Sequence, residues 1–463
     1  MTHAPSGTTT TTLDEAGARA AVSRISWRIL PLIAVGYVIA YIDRTNIGFA
    51  QLGMGEDLGI KAAAYGFAAS IFFIAYFFFE VPSNLLLRRF GARAWLARIM
   101  ATWGIITVIT GFTTNVQMLY VMRFLLGVAE AGFFPGIIVY LTTWFRSGDR
   151  AVALGWLVLA QPISFIFGGL LGGLILDHTG WLGLPGWRWL FILTGVPAIL
   201  MAVVTFVFLP NSPATARWLD PADRDWLNTS LESEQGTGHD EGVRAQLTAL
   251  KNRRVLHLAA THLALAIGTY GFNLFLPLII KQINPDYSAT NIGFVAAIPY
   301  ICAAIALLIN ARLSKRVRER KYLVAVPLAL AAVGLAGVIA LRDHPGPAVV
   351  ALAVTGVGAF AWLPPFWSLT TDSISKTHVA VGIATINSIG NLGGFIGPYL
   401  VGKETDGSTV TAGLLIPVVS LVVSTVLILL WRSPARQPGA GTEAGAEPGA
   451  EPAPAAEAPA TTR

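Results

Sequence analysis

Asp43 and Arg44 are neighbours, Arg123 and Glu130 lie seven residues apart, and Glu80 falls between the two pairs, all inside apolar stretches long enough to cross a bilayer. A charge in hydrocarbon costs roughly several kcal/mol or more, so such a side chain faces a watery path or a partner. The chemistry of this set is the handling of protons and ions. Three acids stand against two arginines, and burial without a partner favours the protonated, neutral form of a carboxylate. That is what a proton-coupling site requires. The competing reading is a static ion-pair network bracing the helices.

Helical geometry limits the pairings. Adjacent residues point about 100° apart, so Asp43 and Arg44 cannot serve one partner equally, and one can pair while the other reaches a substrate. Seven residues are two turns, about 10.5 Å along one face, which puts Glu130 out of easy reach of Arg123 but on the same side of its helix. Depth estimated from helical rise allows an ion pair between Asp43 and Arg123 and places Glu80 near the mouth on the side of Arg88. Glu80 is thereby a gating or ion-pair candidate.

The elements that must carry these residues are membrane spans. The chain has 463 residues, 54% hydrophobic and only 13% charged, against about 25% charged in soluble domains. Runs of about 20 apolar residues predict twelve helices, near 28–50, 62–86, 94–113, 117–145, 150–176, 187–209, 255–280, 289–311, 322–341, 347–371, 379–402 and 411–431. Arg88, Arg89 and Arg93, then Arg146 and Arg150, then Arg312, Lys315, Arg316, Arg318, Arg320 and Lys321 fall on one side. The positive-inside bias makes that side, with both termini, cytoplasmic. It also accounts for the net charge of +6. No aromatic-interleaved basic patch suggests nucleic acid, and no cleaved signal peptide is expected.

The expected organisation is a disordered cytoplasmic N-terminus (1–25), a six-helix bundle (26–209), a cytoplasmic linker (210–252), a second six-helix bundle (253–431) and a disordered tail (432–463) rich in Ala, Pro, Gly and Glu. Two matches relate the bundles. Leu86, Arg88, Arg89, Phe90 and Arg93 recur 227 positions later as Leu313, Lys315, Arg316, Val317 and Arg320, and Gly168, Gly169 and Gly172 recur 225 positions later as Gly393, Gly394 and Gly397. Two matches at nearly one offset favour a duplicated transporter with its site between the repeats. The glycines themselves read as close-packing surfaces.

The second half lacks interior charge but offers Asn273, Ser368, Thr370, Thr371, Asn387, Ser388 and Asn391. These can bind hydroxyls or a carboxylate oxygen but not carry a proton, so coupling belongs to the first half and selectivity to the second. Asn391 touches a ligand or satisfies a neighbouring backbone group. Trp362, Phe366 and Trp367 beside Pro364 and Pro365 either stack on an aromatic substrate or pack. His257 and His262, five apart, miss the spacing of a helical metal pair. Cys302, the only cysteine, excludes an intrachain disulfide. No nucleotide loop, nucleophile elbow or catalytic carboxylate motif occurs, which argues against an enzyme.

YIDRTNIGFA (41–50), EVPSNLLLRRFGARAWLARIM (80–100), RFLLGVAEAGFFPGIIVYLTTWF (123–145), GWRWLFILTGVPA (186–198), LPPFW (363–367) and INSIGNLGGFIGPYLVG (386–402) together resemble the anion:cation symporter family of the major facilitator superfamily. The resemblance implies an all-α membrane protein of twelve helices in two pseudo-symmetric six-helix bundles. It implies proton-driven import of an organic anion of the kind represented by phthalate, hydroxyphenylacetate, tartrate or sugar acids. It further implies that Asp43 and Glu130 take up protons, that Arg44 contacts the substrate carboxylate, that Arg123 pairs with Asp43, and that Tyr76, Gln161 and Asn387 line the cavity. Lys315 stands where an acid is common and Thr194 where a Glu often occurs, which bears on gate salt bridges. The expectation is a secondary transporter with no cofactor beyond the proton gradient. Its partners are an organic anion, protons and lipid, and it works as a monomer in a bacterial cell membrane.

Overall fold

The computed structural model describes residues 14–235, 252–317, 319–374, 379–406 and 409–432. Its elements there are helical. The first half holds α1 (Glu15–Asp57), α2 (Ala62–Phe90), α3 (Ala92–Thr110), α4 (Val116–Glu130), α5 (Phe133–Thr142), α6 (Ser147–His178) and α7 (Gly186–Phe208). A short α8 (Pro221–Gln235) leads to the second half: α9 (Arg253–Ile283), α10 (Ala289–Ser314), α11 (Arg320–Ala340), α12 (Pro345–Ala361), α13 (Leu363–Ser373), α14 (Val379–Thr405), α15 (Val410–Gly413) and α16 (Leu415–Leu429). Eleven described helices, with α4–α5, α12–α13 and α15–α16 each counted as one, are long and apolar enough to cross a membrane. The 27-residue α14 occupies the place of the remaining expected span.

Side-chain caps fix several helix starts. Asp14 accepts from Gly17 N at 2.7 Å, Asn115 from Met118 N at 2.9 Å and Ser288 from Asn291 N at 3.2 Å, each satisfying a donor the helix leaves free. The first cap corrects an expectation. Residues 15–25, expected to be disordered, form the start of α1, because Ala21 and Ile25 are buried and Arg24 pairs with Asp223 of α8 at 2.5 Å. Part of the expected linker is likewise an ordered helix: Glu234 of α8 accepts from Ser147 N at 2.9 Å, where α6 has no cap of its own. Residues 1–13, 236–251 and the tail from 433 lie outside the described residues.

The repeat is visible in the packing. α2 against α14 and α6 against α10 are the main contacts between the halves, and they are images of one another under the 225–227 offset. Both rest on glycine. A Cβ on Gly66 would stand 2.5 Å from Pro398 O, one on Gly293 2.5 Å from Gly169 O, and one on Gly173 2.3 Å from Ala289 O. These approaches lie at the face opposite the basic loops. The same face is joined by Tyr65 OH to Leu274 O at 2.5 Å and by Asp177, which accepts from Ala289 N at 3.2 Å and Thr290 N at 2.7 Å. Towards the basic face α6 is open: Gly148 and Gly155 would have nothing within 4 Å of a Cβ, and Val152 and Trp156 are exposed.

Gly173→Ala should therefore prevent full closure of the first face, since overpacking costs about 1 to 3 kcal/mol. In a Cys302→Ala background, a cysteine replacing Thr45 just beneath that face should react on the order of tenfold faster with an impermeant thiol reagent. Unchanged reactivity would mean that the glycine approach does not set the closed state.

Candidate ion-pair site between the halves

Arg44 and Glu130 form an ion pair between α1 and the last residue of α4. The position of Glu130 follows from how α4 ends. Gly132 has φ +85°, and a Cβ there would meet Ser83 Oγ at 2.4 Å, so the chain breaks at Ala131–Gly132 before α5 resumes. Glu130 thus sits at the negative end of a helix, where its charge is costly unless offset by a cation. Arg44 supplies the offset.

Rings surround the guanidinium. Its carbon lies 5.0 Å from the Tyr41 ring centre, 5.1 Å from Phe72 and 5.5 Å from Tyr76, and Tyr270 of α9 reaches it from the second half. Cation–π attraction and the carboxylate together hold the fork. Arg44 Nε and Glu130 Oε2 nonetheless have no hydrogen-bond partner among the described residues.

Asp43 faces elsewhere, as the 100° step requires. It is buried and accepts from Thr107 Oγ1 of α3 at 3.0 Å and Asn46 Nδ2 at 3.2 Å. Asn46 donates in turn to Thr194 Oγ1 of α7 at 3.0 Å. The expected Asp43–Arg123 ion pair is absent among the described residues. Arg123 is fully buried, its three guanidinium nitrogens have no hydrogen-bond partner among the described residues, and it lies 5.3 Å from the Phe72 ring centre. Phe72 is therefore in contact range of two guanidinium groups, and hydroxyl and amide groups occupy the place at Asp43 that Arg123 was expected to fill.

Of the remaining candidates, Tyr76 is brought to Arg44. Glu80, one turn further along α2, is partly buried and makes no ion pair among the described residues. Gln161 on α6 and Asn387 and Asn391 on α14 are partly exposed, with side chains bonded to no described residue. Trp362 is turned into the second half, its indole N–H donating to Ala359 O at 2.7 Å and its ring 5.8 Å from that of His262; packing is the reading this supports. His262 bonds Ile386 O at 3.2 Å and His257 bonds Leu427 O at 2.8 Å, each tying α9 to a neighbouring helix. Thr370 and Thr371 donate to their own helix.

Sequence reading missed Tyr41, Phe72 and Tyr270. Tyr41 precedes Arg44 by one turn and Phe72 precedes Tyr76 by one, a spacing that carries a signal once Arg44 is fixed. Tyr270 carries none. It depends on how α9 is rotated against α1.

A profile of the Major Facilitator Superfamily matches residues 33–398, with a second match over 287–460. The chain belongs to the major facilitator superfamily. It is an integral membrane transporter, not an enzyme. It is 42% identical over 88% of its length to a protein of Agrobacterium vitis named as a tartrate transporter, covering 90% of that protein. It is also 42% identical over 85% of its length to a quinolone resistance transporter of Acinetobacter baumannii, again covering 90%. Among solved structures, an inward-facing, occupied bacterial homologue of the human lysosomal transporter Spinster superposes with a TM-score of 0.70 at 17% identity, over 87% of this chain and 96% of that one. That likeness establishes the fold. The tartrate-transporter relative agrees with the resemblance to organic-anion permeases.

Proposed function

We propose that this major facilitator protein imports a small carboxylate-bearing organic anion together with protons, by alternating access between its two halves. The observation that carries the reading is the Arg44–Glu130 pair in a box of rings at the seam of the halves. An incoming carboxylate must compete with Glu130 for the Arg44 fork. Protonation of Glu130 releases the fork, so anion and proton replace the internal pair without leaving net charge behind. Asp43, one residue away and held by hydroxyl and amide donors, serves as a second proton site. The partly exposed Gln161, Asn387 and Asn391 are suited to substrate hydroxyls. No cofactor is needed beyond the gradient, and the working unit is a monomer.

In this reading the basic face is cytoplasmic, in a bacterial cell membrane, and the described conformation is open to the cytoplasm. With Cys302 replaced by Ala, Thr229→Cys on α8 should be labelled only from inside intact cells, and Asp343→Cys, before α12, only from outside. The reverse pattern would invert the orientation.

A thermal-shift screen of the purified protein tests the substrate class. Carboxylic acids should raise the melting temperature and their amides should not. Equal stabilisation by both would exclude a carboxylate-selecting site. The quinolone-resistance relative supports a second reading, export by proton exchange, which predicts pH-driven flux in the opposite direction.

A further inference from the structure

At the start of α3 two arginines and two rings form a continuous stack outside the ion-pair site. The guanidinium carbon of Arg98 lies 3.9 Å from the Trp95 ring centre, Trp95 is stacked on Phe90 at 5.6 Å and 10°, and Arg89 lies 5.7 Å from Phe90. Trp95 is pinned by its N–H, which donates to Ser83 Oγ at 3.1 Å. Arg98 has no carboxylate partner among the described residues, and its Nε is without a hydrogen bond.

Its place makes this unusual. Arg98 is the seventh residue of α3, about 9 Å of rise from the basic end. It shares a stripe with Ile105 and Ile109, seven and eleven residues on. Those residues are 47% and 42% exposed, as suits a lipid-facing surface. An unpaired arginine on a lipid-facing stripe needs an anion from outside the protein. Its long stem lets the guanidinium reach the headgroup layer while the methylenes stay in hydrocarbon, and Trp95 and half-exposed Phe90 are the side-chain types that settle at that depth.

We propose that Arg98, Trp95, Phe90 and Arg89 form a binding site for the phosphate headgroup of an anionic phospholipid at the basic face. Arg98 holds the phosphate from within the interface, Arg89 at the other end of the stack adds positive charge at the rim of the site, and the stacked rings keep both guanidinium groups presented. The site is independent of the transport reading.

Native mass spectrometry of the full chain in maltoside micelles, titrated with phosphatidylglycerol or phosphatidylcholine, tests it. The parent should retain phosphatidylglycerol in preference. Arg98→Gln and Arg89→Gln should each weaken that retention about fivefold, leave phosphatidylcholine unaffected, and inorganic phosphate should not displace the lipid. Arg89 is exposed, so its variant decides the matter even where Arg98→Gln disturbs folding. Unchanged phosphatidylglycerol retention, equal loss of both lipids, or displacement by inorganic phosphate would overturn the proposal.

Discussion

Glu130→Gln is expected to abolish accumulation driven by a pH gradient while substrate exchange continues. Gln keeps the volume and an acceptor for Arg44 but cannot exchange a proton, so the fork is free for a carboxylate whatever the pH. Counterflow should persist with affinity equal to or tighter than that of the parent, and uphill uptake should fall to the level of passive equilibration. Asp43→Asn should impair coupling as well, but its neighbours donate from Thr107 and Asn46, and an amide oxygen can still accept from both. Uphill uptake by both variants on a pH gradient alone would remove these acids from the coupling step.

Arg44→Gln is expected to have the larger effect on binding. Removing one member of a desolvated charge pair costs about 2 to 5 kcal/mol, part of which is the stranding of Glu130. Arg44→Lys should fall between the parent and Gln, since a point charge cannot reproduce two parallel hydrogen bonds. The discriminating measurement is selectivity. Once a transported acid is known, the parent should bind it far better than its amide, and Arg44→Gln should lose most of that difference. Retained discrimination would make Arg44 structural and shift attention to Arg123, whose buried nitrogens have no hydrogen-bond partner among the described residues.

The helices were legible because bilayer thickness imposes their length, and the halves because the repeat left two matched patterns. Those matches map onto the packing: Gly169 and Gly394 stand at equivalent positions in the contacts of α6 with α10 and of α14 with α2. The buried charges Asp43, Arg123 and Glu130 were legible too, since charges in apolar spans announce themselves. The pairing was not. Depth along helices allowed Asp43 to meet Arg123, but rotation about the helix axes decides which group faces which, and α1 turns Asp43 towards Thr107 and Arg44 towards Glu130. The same blindness to rotation hid Tyr270 and left Trp362 open between stacking and packing. The early start of α1 was missed for another reason: its partner, Asp223, lies 199 residues away.

Uptake by the purified protein in sealed liposomes, with a pH gradient as the only driving force, tests the central claim most directly. The interior would be alkaline, the membrane potential clamped at zero and the labelled carboxylate equal on both sides. The account predicts accumulation above the external concentration, accompanied by proton entry and abolished by a protonophore. Equilibration without accumulation, or expulsion of the anion as protons enter, would contradict it.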